Sequence, residues 1–196
     1  MPKTMDEGNL RFTFDDDWEV VKLDEHAFFC ERLMPLQLTR AVDFLGLHGR
    51  SELYLIEAKD FRGSATELRN HEKMCDGDNL HLQIARKSKD SVACVVGAAR
   101  TLNDAFLSKC ADVLRKPQAI VKVVFWLEFD LSGQRGRGRN HTWVEQEMRV
   151  QATSRERQLK TRLNWLTRQV VVTNQTINAS VLPGVRVENI ERAGIQ

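Results

Sequence analysis

Ala41-Val42-Asp43-Phe44-Leu45-Gly46-Leu47-His48-Gly49-Arg50-Ser51-Glu52-Leu53-Tyr54-Leu55-Ile56-Glu57-Ala58-Lys59 is the stretch whose reading decides the fold. Two apolar segments, Ala41–Leu47 and Leu53–Lys59, flank the short link His48–Glu52, and the pattern predicts a β-hairpin. Only Asp43, Glu57 and Lys59 carry charge within the two segments. Ionised groups on buried strands are costly unless compensated.

Alternate side chains of a strand share a face. Glu57 and Lys59 therefore project the same way, extending the apolar stripe Leu53 and Leu55. Asp43 falls within about one residue of Glu57's level if the turn is tight. Two carboxylates that close repel unless a cation stands between them. Mg²⁺, or Mn²⁺ in its place, suits two carboxylates, and leaves coordination free for water and a substrate phosphate. Lys59 then stands where it can hold or deprotonate an attacking water, or neutralise charge on phosphorus. The competing reading is an exposed Glu57–Lys59 pair on an edge strand with Asp43 in a turn.

Working outward, Arg11–Phe14 reads as a short strand and Asp15–Asp17 as a turn or cap; Trp18–Leu23 alternates as a strand does, with entry into the next helix as the other reading. Asp24 is placed to cap a helix over Glu25–Met34, which Pro35 ends. Downstream of the hairpin, Leu80, Ile84, Val92, Val95, Ala99 and Leu102 form a helical stripe predicting a helix over Asn79–Leu102. A second helix, Asn103–Arg115, stops before Pro117. Ala119–Phe129 is almost wholly apolar and reads as a central strand buried on both faces. Val144–Arg168 has helical spacing, and Val170–Thr173 and Val185–Val187 read as short strands. The expectation is a single α/β domain over residues 1–196, with a mixed central sheet flanked by helices.

This constellation resembles the PD-(D/E)xK nuclease superfamily, which has a restriction-endonuclease-like fold. The resemblance spans roughly Trp18 to Asp130, and Trp18–Phe29 is similar to the same region of small bacterial members. It implies an αβββαβ core and a metal-dependent nuclease hydrolysing phosphodiester bonds, with DNA ahead of RNA as substrate. It implies Asp43 and Glu57 as metal ligands, the Ala58 carbonyl as another, and Lys59 as the catalytic lysine. Many members add an acid from the first helix. Glu25 and Glu31 both qualify, on different faces, and Glu25 lies in the part that resembles the small members. Some members carry a glutamine and a tyrosine on the next helix; Gln83 matches the first, and Lys87 stands in the tyrosine's place. The alternative the resemblance allows is a catalytically inactive nucleic-acid- or protein-binding module of the same fold.

Charge is uneven. Met1–Met34 holds nine acids against four bases, and Leu131–Arg168 holds nine bases against three acids. A basic stretch suits a polyanionic partner. Arg135, Arg137 and Arg139 lie on a glycine-rich loop that could follow a nucleic-acid backbone. Gln83, Arg86 and Lys87 share a helix face and could touch phosphates beside the site. His71, Cys75 and His81 lack a fourth zinc ligand at a recognised spacing. The tryptophans read as packing residues, with Trp143 alone considered for base stacking. No apolar run reaches membrane-span length, and the polar, acidic start has no secretory character. The cysteines lie far apart, which favours reduced thiols and a cytoplasmic setting. A homodimer would suit cleavage of both strands of a duplex.

Overall fold

The computed structural model describes residues 1–49, 51–62, 77–128, 141–177 and 179–190. Its strands are β1 (Lys3–Glu7), β2 (Leu10–Phe14), β3 (Trp18–Lys22), β4 (Phe44–His48), β5 (Glu52–Asp60), β6 (Ile120–Glu128), β7 (Gln169–Thr173) and β8 (Val185–Asn189). The long helices are α1 (Gly77–Thr101), α2 (Ala105–Arg115) and α3 (His141–Leu163). A five-stranded sheet runs β3-β4-β5-β6-β7, and a three-stranded sheet runs β1-β2-β8. The class is therefore mixed α/β, with two sheets where one was expected.

The hairpin forms as the pattern requires. Phe44 pairs with Ile56 and His48 with Glu52 in antiparallel register. Gly49, at φ 58°, supplies the left-handed backbone that begins the turn. β5 then pairs in parallel with β6, and β6 with β7. Parallel neighbours need long crossovers, which α1 and α2 provide for the first pair and α3 for the second.

Strand alternation divides the core. Leu45, Leu47, Leu53, Leu55, Val123, Phe125 and Leu127 face the three helices. Phe44, Tyr54, Ile56, Ala58, Val124 and Trp126 face the small sheet through Leu10, Phe12 and Phe14. The layers are thus helices, large sheet, small sheet. Phe12 meets Phe44 and Trp126 edge-on or tilted, at centroid distances of 5.0 and 5.7 Å, geometries that aromatic pairs favour.

Four expectations need correction. First, β3 precedes the first helical segment, so that segment falls inside the antiparallel meander rather than before it. Trp18 pairs with His48 across β3 and β4, so the chain must travel from Lys22 to Phe44 before it can continue the sheet. Second, the helix expected over Glu25–Met34 is shorter. Its core is a π-helical turn at Phe29–Leu33, with Met34 N donating to Phe29 O at 2.8 Å. Phe29 is the one buried residue of that turn, which offers little apolar area to hold a longer helix. Third, Asp24 does not cap that turn, which has no side-chain cap. Fourth, α3 stops at Leu163 rather than Arg168. The chain turns there so that Thr167 Oγ1 can donate to Val121 O (2.6 Å) as β7 begins. Among the described residues, no helix is long and apolar enough to cross a membrane.

Candidate active site

The β4–β5 register continues one step past Phe44–Ile56 and sets Asp43 opposite Glu57. β5 is the central strand of its sheet, and Asp43 and Glu57 are 2% and 1% exposed. An exposed pair on an edge strand is thereby ruled out. Asp43 Oδ2 accepts from Ala58 N at 2.8 Å, satisfying a buried donor just beyond the β4 ladder.

Two ammonium groups meet the two carboxylates. Lys59 Nζ is 2.7 Å from Glu57 Oε1 and 3.8 Å from Asp43 Oδ2, and it donates to Ala58 O at 3.1 Å. Lys87 Nζ, arriving from α1, lies 2.8 Å from both Glu57 oxygens and 3.2 Å from Asp43 Oδ1. The four formal charges balance. Burial pushes the Glu57 carboxyl above its ordinary range and Asp43 adds to this, against Lys59 and Lys87. Burial alone would lower Lys59, but the Glu57 and Asp43 carboxylates outweigh it and hold the ammonium above the usual lysine value.

α1 also fixes the backbone that presents Asp43. Ser91 Oγ accepts from Val42 N at 3.0 Å and donates to Lys87 O at 2.7 Å. Asp90 Oδ2 accepts from Arg40 N at 3.1 Å. One helix thus sets both the Lys87 ammonium and the approach to β4.

A second acidic group shares Asp43. Carboxylate oxygens of Glu7, Asp24 and Asp43 all lie within 4.8 Å of one another. Asp24 Oδ1 is buried with no hydrogen-bond partner among the described residues. Burial raises the Asp24 pKa, and the Asp43 and Glu7 charges raise it further. An unsatisfied buried carboxylate oxygen beside two more acids is a donor set that could hold a hard dication such as Mg²⁺ or Mn²⁺, and Asp43 joins that set to Glu57.

Of the expected residues, Asp43, Glu57, Lys59 and the Ala58 carbonyl come together. Glu25 instead points to Lys22, 2.6 Å away, and is largely exposed; Glu31 is exposed. Gln83 and Arg86 are exposed on α1, while Lys87 turns inward to the carboxylates. Arg135, Arg137 and Arg139 lie outside the described residues, as do His71, Cys75 and the Trp143 side chain. His81 is buried. Trp18 and Trp126 are core residues, but Trp165 is 51% exposed, correcting its reading as a packing residue. Cys30, Cys94 and Cys110 are free thiols.

Sequence reasoning missed Asp24, Glu7 and Ser91, and it placed Lys87 beside the site rather than within it. Asp24 gave no sequence signal beyond its capping role: it nears Asp43 because the β3–β4 register sets Leu23 opposite Asp43, a pairing made only in the folded chain. Glu7 and Ser91 arrive through tertiary packing and had none. The chain matches no protein-family model, no curated protein and no solved structure.

Proposed function

We propose that the protein is a metal-dependent nuclease that hydrolyses phosphodiester bonds, with DNA as the favoured substrate. The observation that carries this reading is the convergence of the Asp43 and Glu57 carboxylates on adjacent strands, with the Lys59 ammonium 2.7 Å from Glu57. The antiparallel run β3-β4-β5, followed by helices and the parallel strand β6, supports a restriction-endonuclease-like core with its first helix displaced.

In this reading Asp43 and Glu57 hold Mg²⁺ or Mn²⁺, with the Ala58 carbonyl and Asp24 as further oxygen donors. A bound dication would polarise the scissile phosphate and acidify a coordinated water. Lys59 orients that water and offsets charge growing on the phosphate oxygens. Exposed Arg149, Arg157, Lys160 and Arg168 on and just after α3 offer backbone phosphate contacts, which position nucleic acid without reading its sequence. Free thiols at Cys30, Cys94 and Cys110 agree with a reducing, cytoplasmic setting.

A second reading is a non-catalytic module of the same fold. It is favoured by one observation: two ammonium groups already balance the two carboxylates. The two separate on cleavage. Plasmid, linear and single-stranded DNA, with RNA alongside, are incubated with Mg²⁺ or Mn²⁺, beside Glu57→Gln and Lys59→Ala. The nuclease reading expects cleavage that EDTA abolishes and both variants lose by at least about a hundredfold. Equal residual cleavage by wild type and both variants would refute it.

A further inference from the structure

Lys87 occupies a peculiar position for a residue on a long amphipathic helix. Its Nζ is 2.8 Å from both oxygens of Glu57 and 3.2 Å from Asp43 Oδ1. That is the place between the facing carboxylates where a cation must stand for both to stay ionised. Lys59 makes a separate, more lateral contact, 2.7 Å from Glu57 but 3.8 Å from Asp43. The Lys87 side chain is not sealed in: 17% of it remains exposed. Its backbone carbonyl accepts from Ser91 Oγ at 2.7 Å, a contact that does not involve the side chain.

We infer that Lys87 is a resident stand-in for the metal ion: its ammonium keeps the metal-free carboxylate pair closed, and a dication enters only as Lys87 leaves. This rests on the proposed function above and adds to it the step that precedes metal binding. Lys87 acts here as a positioning residue. With the ion loaded, its ammonium moves to the solvent edge of the site, beside exposed Arg86 and Gln83 on the same helix. There it becomes available to a phosphate of the substrate. A ligand that binds only the Lys87-out state has its apparent affinity reduced by the fraction of that state.

The test compares wild type with Lys87→Met by Mn²⁺ titration calorimetry, without nucleic acid. The inference expects the variant to bind Mn²⁺ about tenfold or more tightly than wild type. Its melting temperature in EDTA should be lower, because one counter-ion of a buried pair is gone. Equal or weaker Mn²⁺ binding by the variant overturns the inference and leaves the nuclease reading standing. Absence of Mn²⁺ binding by both proteins overturns the two together.

Should Lys87→Met not fold, wild type alone decides. Lysine acylation read by mass spectrometry should rise several-fold at Lys87 on adding Mn²⁺. The exposed Lys89 should stay constant. Unchanged labelling of Lys87 at saturating Mn²⁺ overturns the inference.

Discussion

The Asp43→Asn substitution keeps the shape of the site and removes one charge, which makes it the sharpest probe of how the site is balanced. The new amide oxygen can still accept from Ala58 N, now without the charge that strengthens the present 2.8 Å bond. Hydrogen bonds to charged groups contribute about 1.5–3 kcal/mol and neutral ones about 0.5–1.5, so this loss is about 1 kcal/mol. The amide nitrogen then replaces Oδ1 and faces the Lys87 ammonium, donor against donor, at the present 3.2 Å, while the amide oxygen keeps the Oδ2 place 3.8 Å from Lys59 without its charge. Losing the opposite charge at these distances costs about 4–5 kcal/mol gross per contact at an effective dielectric of 20, about 9 kcal/mol for the two. Most of that is returned, because Glu57 no longer faces a second carboxylate and Asp43 no longer needs desolvation. The net expectation is a metal-free variant about 1–3 kcal/mol less stable than wild type. Urea denaturation in EDTA measures it. Repeating the titration with Mn²⁺ at about a hundred times its dissociation constant should widen the gap by about 2.7 kcal/mol, because only wild type gains by binding. A variant as stable as wild type in EDTA would refute the balanced four-charge description. An unchanged gap with Mn²⁺ would refute Asp43 as a ligand.

Other perturbations bear on separate parts of the account. Ser91→Ala leaves the buried Val42 N–H without its acceptor; thermal or urea unfolding should show a loss of about 1–3 kcal/mol, and weaker Mn²⁺ binding should accompany it as Asp43 shifts. Gly46→Ala sets a Cβ 2.8 Å from the Trp18 ring, which cannot easily yield because its Nε1 donates to Pro183 O at 2.7 Å; a destabilisation of about 1–3 kcal/mol and a changed tryptophan emission are expected. Glu52 is held below the ordinary carboxylate range first by the Tyr54 hydroxyl and then by Lys122. A depressed acid stabilises above its unfolded pKa and loses that contribution as pH falls through its folded pKa. Glu52→Gln should therefore cost under about 1 kcal/mol at neutral pH, solvent screening included, and the gap to wild type should close below the ordinary carboxylate range in pH-dependent unfolding.

The hairpin and its charged residues were legible because strand alternation has a period of two. A one-residue slip would have sent Glu57 and Lys59 to the small-sheet face, away from the helices. The parallel strand β6 was legible from its unbroken apolar run. β1 was not: Lys3-Thr4-Met5-Asp6-Glu7 has no buried residue and is held by pairing with β2, from Lys3–Phe14 to Glu7–Leu10. That support comes from a partner strand, not from its own composition. The helix face carrying Gln83, Arg86 and Lys87 could be read from spacing, but not its rotation against the sheet. That rotation sends Lys87 into the site and leaves the other two outside. Asp24 looked like a cap because local sequence favours that role. Its true surroundings depend on β1 and β4, which meet it only in the folded chain.

The most direct test of the central claim is anomalous diffraction from crystals soaked in Mn²⁺ without nucleic acid. The account predicts a single strong peak between the Asp43 and Glu57 carboxylates, with the Lys87 ammonium withdrawn from its present 2.8 Å contacts. A fully soaked crystal with no peak there, and Lys87 still bridging both acids, would contradict it.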